Sequence, residues 1–261
     1  MPAASPLKSK SRQITLAAVF AVVYFILRSV PTFQMIGIAG SFTAGDFVLT
    51  TLALIGGLWS GALAVVAGTI LAYASRAPLF YGLDFLPALL NVAIVTLIVS
   101  KRHHIAQAAY LIVLLAFVVS PYSLTFAFGY IPYTWLHLVA LVLLFSPLTT
   151  KVPRWLHASD FHQFLAVLLL AFVGTMAQHL MGGLLFELTL GMIGGIDPLT
   201  FRNTIWYGIF FVYPEERLLI TALSTIIAAA VLASTRKWFV HIPSTRDSTC
   251  DAQNHASGTR F

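Results

Sequence analysis

Apolar residues run in blocks along nearly the whole chain from Ile14 to Ser234, and charges fall in the gaps between blocks. A helix that crosses a bilayer needs about 20 apolar residues, with a range of roughly 17–25. On that measure the pattern predicts helices over 14–30, 84–100, 105–120, 134–148, 161–188 and 215–235. Two further helices, 46–58 and 61–75, are joined by a tight turn at Trp59-Ser60-Gly61. Both are short for a full crossing, which suits a tilted pair or a broken hairpin buried among the other helices. A shorter apolar stretch, 203–213, precedes the last helix.

Composition turns these blocks into a fold class. Charged residues make up 9% of the 261 residues and the mean hydropathy is +0.88, whereas a soluble domain carries about 25% charge. Backbone inside lipid must satisfy its own hydrogen bonds, and long apolar segments do so as helices. The expected architecture is therefore all-α: a polytopic transmembrane helical bundle of about eight spans, or a six-helix core with 105–120 and 134–148 as an added pair. It divides into a basic N-terminus (1–13), a membrane domain (14–237) and a polar tail (238–261) that reads as disordered. The N-terminus resembles a signal sequence, but no small-residue cleavage site comes after it, so an uncleaved first helix is expected.

A net charge of +6 could suit nucleic acid, but the placement of the basic residues explains it better. Lys8, Lys10 and Arg12 precede the first helix, Lys101 and Arg102 split the middle, and Lys151, Arg154, Arg236 and Lys237 come after later spans. With the N-terminus inside, all of these fall on the cytoplasmic side, as do both termini. Arg28, Arg76, Arg202 and Arg217 remain outside. A lipid bilayer, and no nucleic acid, is the expected environment, namely the cell membrane of a prokaryote. The single cysteine, Cys250, excludes an intrachain disulfide framework.

The acidic residues divide the other way. Asp46, Asp84, Glu187, Asp197, Glu215 and Glu216 fall at outer helix ends or outer loops, and only Asp160 is clearly inner. Polar chemistry thus gathers on the external face, as in a protein that captures something from outside. On helix 161–188, His179 lies about 20 Å along the rise from Leu165 and Glu187 about 12 Å further. Ionisable groups at that depth are costly, which marks both as candidates beside Gln178. The competing structural reading leaves Glu187 wet and His179 bonded to a neighbouring helix. Asn91, inside helix 84–100, suits interhelical bonding and ligand contact equally.

Tyr213-Pro214-Glu215-Glu216-Arg217 reads first as a helix N-terminus, with Pro in the first turn and carboxylates offsetting the dipole. Alternatively Glu216 and Arg217 face a ligand. Asp46 and Asp84 suit helix caps, Tyr122, Tyr130, Tyr133 and Trp135 an interfacial belt, and His103 and His104 a solvated loop. Small residues at four-residue spacing, Ala17 and Ala21 among them, let helices approach closely; on the first helix they could also dock a partner. No nucleotide-binding Gly-rich loop, metal quartet or Cys-x-x-Cys occurs, so no metal or cofactor is expected and any ATPase must be a separate chain.

Three stretches carry a family likeness: Ala17-x-x-x-Ala21 after the basic N-terminus; Gly45-Asp46-Phe47 leading through Gly56-Gly57-Leu58-Trp59-Ser60-Gly61-Ala62 to Gly68; and His179-x-x-Gly182-Gly183-x-x-x-Glu187 with the later Tyr213-Pro214-x-Glu216-Arg217. Together they resemble the substrate-capture (S) component of an energy-coupling-factor vitamin transporter. The resemblance implies a six-helix protein that binds a vitamin-like micronutrient in an outward-facing pocket. It also implies docking through the first helix, at Ala17 and Ala21, onto a transmembrane coupling protein powered by ATPase subunits. The pocket would be built by the loop after the first helix and by Asn91, Gln178, His179, Glu187, Glu216 and Arg217. The excess of outer carboxylates favours a cationic or zwitterionic heteroaromatic ligand. A length of 261 residues departs from the usual six-span pattern.

The rival readings are a stand-alone proton-coupled transporter, a membrane scaffold and an intramembrane enzyme. Glu215-Glu216 is similar to the paired glutamates of CAAX-type membrane proteases, but Arg217 comes at once and position 220 is Ile, so that spacing fails.

Overall fold

A computed structural model describes residues 10–37, 40–158 and 161–235. Lys8, Asp160, Arg236, Lys237, Cys250 and the tail 238–261 lie outside the described residues, and so do the expectations placed on them. Among the described residues, four stretches are long and apolar enough to cross a membrane: Lys10–Arg28, Ala44–Ala72, Phe161–Ile193 and Pro198–Thr235. Two shorter apolar helices, α3 (Leu86–Val99) and α4 (His103–Val119), accompany them. The result fits an all-α membrane bundle.

Its axis is α7 (Phe161–Phe186). About 67% of its most apolar window is buried, against 17% for α1 (Lys10–Arg28), so α7 is central and α1 peripheral. Residues of α3 pack along α7 at Gly174, where an added Cβ would lie 2.6 Å from the Asn91 side-chain oxygen. Gly at such a crossing lets two backbones approach in lipid, where packing rather than hydrophobic burial drives association. On the other flank α4 and α5 (Trp135–Phe145) are tied together, Tyr110 donating to the His137 carbonyl and Gln107 to that of Leu144.

Helix α2 (Leu49–Ala72) is interrupted at Gly57, whose φ of 64° and ψ of −167° leave the helical region. That combination is open to essentially glycine alone. By length and composition Ala44–Ala72 would qualify as one crossing, yet its contacts show a hairpin. Gly45 lies against Tyr24 and Arg28 near the end of α1, Ser60 donates to the Gln13 carbonyl near its start, and Arg76 is back at the Arg28 carbonyl. Gly61 also faces the Leu52 carbonyl oxygen across the hairpin. The short pair of helices expected here is present, with the reversal beginning at Gly57 rather than at Trp59.

Ala17 and Ala21, the expected docking pair, are buried at 6% and 5% exposure. Ala21 faces the returning arm of α2, where a Cβ on Gly68 would come within 2.8 Å of its carbonyl oxygen. Close packing within the chain accounts for the spacing of this pair.

Other boundaries differ for identifiable reasons. The helix expected over 134–148 is two, α5 and α6 (Pro147–Trp155), bent by 69°. Pro147 cannot continue α5, and the Ser146 hydroxyl accepts from Leu148 N–H to start α6. His103 and His104 open α4 rather than lying in a loop. At the C-terminal end of α7 the chain widens into a π-helix, Glu187–Ile193. The three-residue turn α8 (Pro198–Thr200) and a second π segment, Phe201–Trp206, lead into α9 (Tyr207–Thr235). Pro214 therefore lies inside α9, not in a first turn, and the N-terminal reading of Tyr213-Pro214-Glu215 fails.

Two antiparallel strand pairs, unforeseen in the sequence, sit in the connections. β1 (Pro31–Gln34) pairs with β2 (Ser41–Thr43), and β3 (Phe126–Ala127) with β4 (Ile131–Pro132). Tyr133, expected in an interfacial belt, is 1% exposed and stacks among Phe117, Trp206 and Tyr213.

Candidate functional site

At the Arg28 end of the bundle, the β1–β2 connection and the first turn of the α2 hairpin face α7 and α9 across a cavity of about 110 Å³. A buried water needs roughly 10–15 Å³ on this measure, so there is room for on the order of ten water-sized groups. Gln178, His179, Glu216 and Arg217 line it, together with Asp46, Arg28, Arg76 and Asp84. Aromatic and apolar wall is supplied by Phe42, Phe80, Phe186 and Trp206.

Asn91 and Glu187 are not part of that wall. Asn91 is 1% exposed and its amide donates to the Gln178 side-chain oxygen at 3.0 Å. Gln178 in turn donates to Asp46 Oδ1 at 2.7 Å, and Asp46 Oδ2 accepts from Thr43 N–H. Asn91 thus fixes the orientation of Gln178 from behind, which is the interhelical bonding that was one of its two readings. Glu187 is also 1% exposed. It accepts from Trp206 Nε1 at 3.1 Å and holds that indole against Phe186 and Phe201. Its place behind Trp206 is a consequence of helix geometry: about 80° of rotation separates Glu187 from His179, enough to turn it away from the cavity.

His179 is tied to a residue that sequence reasoning passed over. Its Nδ1 lies 2.9 Å from Nε2 of His137 on α5, and the two rings stack at 5.1 Å. Tyr213 stacks on His179 from α9, also at 5.1 Å, and donates its hydroxyl to the Tyr133 carbonyl. One of the two histidines must donate and the other accept, so the shared proton fixes their tautomers relative to each other. A histidine inside the apolar run Trp135–Phe145 was a readable signal.

Two carboxylates assigned to helix caps have other work. Asp46 makes one reciprocal contact of that kind with Thr43 but spends its other oxygen on Gln178. Asp84 accepts from the N–H groups of Leu79 and Phe80 and from the Tyr73 hydroxyl, so it closes the turn before α3 rather than the helix itself. Arg28 approaches Asp84 at 4.0 Å and donates to the Tyr24 hydroxyl. Arg76 donates to the carbonyls of Arg28 and Ser41. Both arginines stood out in the sequence as basic residues on the acidic side, but nothing there joined them to the site.

Glu216 and Arg217 both reach the cavity, while Glu215 is exposed and not part of its wall. The adjacent glutamates, about 100° apart around the helix, do not share the cavity. Among the described residues no group of three His, Cys, Asp or Glu side chains is placed to hold a metal ion. What the arrangement offers is recognition: a polar, partly aromatic chamber with fixed hydrogen-bonding groups. No family model, curated protein or solved structure matches the chain.

Proposed function

We propose that this chain is the substrate-capture subunit of an energy-coupling-factor type importer, binding a small vitamin-like molecule on the outer side of a prokaryotic cell membrane. The observation that carries the reading is the cavity at the Arg28 end, where residues from α1, the α2 hairpin, α7 and α9 converge on one polar chamber. On this reading the chain crosses eight times with both termini cytoplasmic, the α2 hairpin supplying two short passes. The cavity then opens on the acidic, external side. Transport would be powered by separate ATPase subunits through a transmembrane coupling protein.

A second reading, a stand-alone proton-coupled transporter, draws on the buried His137–His179 pair beside the cavity, since histidine chains carry protons through membranes. Protein purified in mild detergent and examined by mass spectrometry for released small molecules tests capture directly. Proteoliposomes containing this chain alone then separate the two readings. A capture subunit binds the identified compound without accumulating it, whereas accumulation driven by a proton gradient would establish the second. Empty protein, with no thermal shift across a vitamin panel, would sink both.

A further inference from the structure

Arg217 is the largest charged side chain in the core, 1% exposed, and it lines the cavity. Its guanidinium lies 4.2 Å over the Phe42 ring, which covers one face. The Glu216 carboxylate stands 3.7 Å from Nη2, beyond hydrogen-bonding distance. Nε and Nη2 have no acceptor among the described residues. Buried donors are nearly always paired, and a charged one left open is costly, so this edge of the guanidinium calls for an explanation.

Apart from Glu216, whose carboxylate stands beside Arg217, the remaining charged groups of the wall are already engaged. Both oxygens of Asp46 accept from the chain itself, as do both oxygens of Asp84. Arg28 and Arg76 spend donors on Tyr24 and on backbone carbonyls. Among the described residues of the chamber, the buried donors left without an acceptor are therefore those of Arg217.

Resting on the capture reading above, we propose that the ligand is a small organic anion whose carboxylate docks in the plane of the Arg217 guanidinium. Arg presents a planar fork of N–H groups matched to a carboxylate, and Phe42 stacked on its face leaves that edge free to bind. The apolar or aromatic body of the ligand packs against Phe80, Phe186 and Trp206. This replaces the cationic ligand that the outer carboxylates suggested, because those carboxylates are consumed within the chain or, for Glu216, set beside Arg217.

The test begins with the compound released by the full-length wild-type protein. A carboxylate-bearing compound is expected, and its amide should bind roughly 10- to 100-fold more weakly, the loss that comes from removing one charged hydrogen-bonded partner. Arg217→Gln should lose binding to a similar degree. Arg217→Lys, which keeps the charge but not the fork, should recover only part of it. The ligand comparison is made on wild-type protein, so it holds even if a variant fails to fold. A stoichiometric ligand without an anionic group, or an amide that binds as tightly as the acid, overturns the proposal while leaving capture intact. Wild-type protein that is empty and unresponsive to benzoate, nicotinate and the vitamin panel overturns capture and this proposal together.

Discussion

The side-chain amide of Gln178 donates to Asp46 Oδ1 at 2.7 Å, and so fastens the middle of α7 to the short turn that precedes α2. With Asn91 behind it, the relay Asn91–Gln178–Asp46 joins three elements far apart in sequence. Each member satisfies a group that would otherwise be buried unpaired.

Asn91→Leu should therefore weaken ligand binding without touching ligand, by freeing Gln178 to rotate. Breaking an interhelical hydrogen bond of this kind costs about 0.6 kcal/mol on average in a membrane protein, and up to about 1.7. The thermal midpoint of the empty protein and ligand affinity should fall together. An affinity loss with an unchanged midpoint would place Asn91 in direct contact instead.

Glu187→Gln should change ligand affinity by less than about threefold, because the amide oxygen still accepts from Trp206 Nε1. Glu187→Leu leaves that indole N–H unpaired at a cost of about 1–3 kcal/mol, read as a lower unfolding midpoint. A large binding loss in Glu187→Gln would mean that the carboxylate itself meets the ligand.

The hairpin reading of α2 makes a topological prediction. Trp59 is 74% exposed at the turn and Tyr130 is 75% exposed near the β3–β4 connection. In a Cys250→Ser background, Trp59→Cys and Tyr130→Cys should react with a membrane-impermeant maleimide from opposite sides. Were Ala44–Ala72 a single straight crossing, Trp59 would lie in mid-bilayer and fail to react from either side.

Ala21→Trp should destabilise the whole protein rather than block a partner. The helix that faces it is already at the closest approach glycine allows, at Gly68, and overpacking of that kind costs about 1–3 kcal/mol or more. Lower yield and a lower thermal midpoint are expected. A fully stable, ligand-binding variant that fails only in uptake would restore the docking role.

The helices were legible because lipid leaves few alternatives: apolar runs of sufficient length must be helical, and charge marks their ends. The short pair around Gly57 was legible for the same reason, since each half is short for a full crossing and a turn signal separates them. Pro214 misled because a proline before acidic residues reads as a helix start, and only the turns at 198–206 reveal that α9 begins earlier. Of the six expected ligand residues, Gln178, His179, Glu216 and Arg217 reach the cavity, while Asn91 and Glu187 stand one layer behind. Sequence depth could not separate these layers, because facing a cavity depends on helix rotation and on what fills the space between. His137 and Phe42 come from elements whose relation to α7 and α9 is set only by tertiary packing.

The reversal at Gly57 decides the membership of the cavity wall. Had the chain run straight on, Asp46 and Arg76 would be separated by the whole thickness of the bilayer. Because it turns back, Arg28, Asp46, Arg76 and Asp84, taken from the connections on either side of the hairpin, return to one rim. A single residue without a side chain thus sets which charges can meet, although it touches none of them.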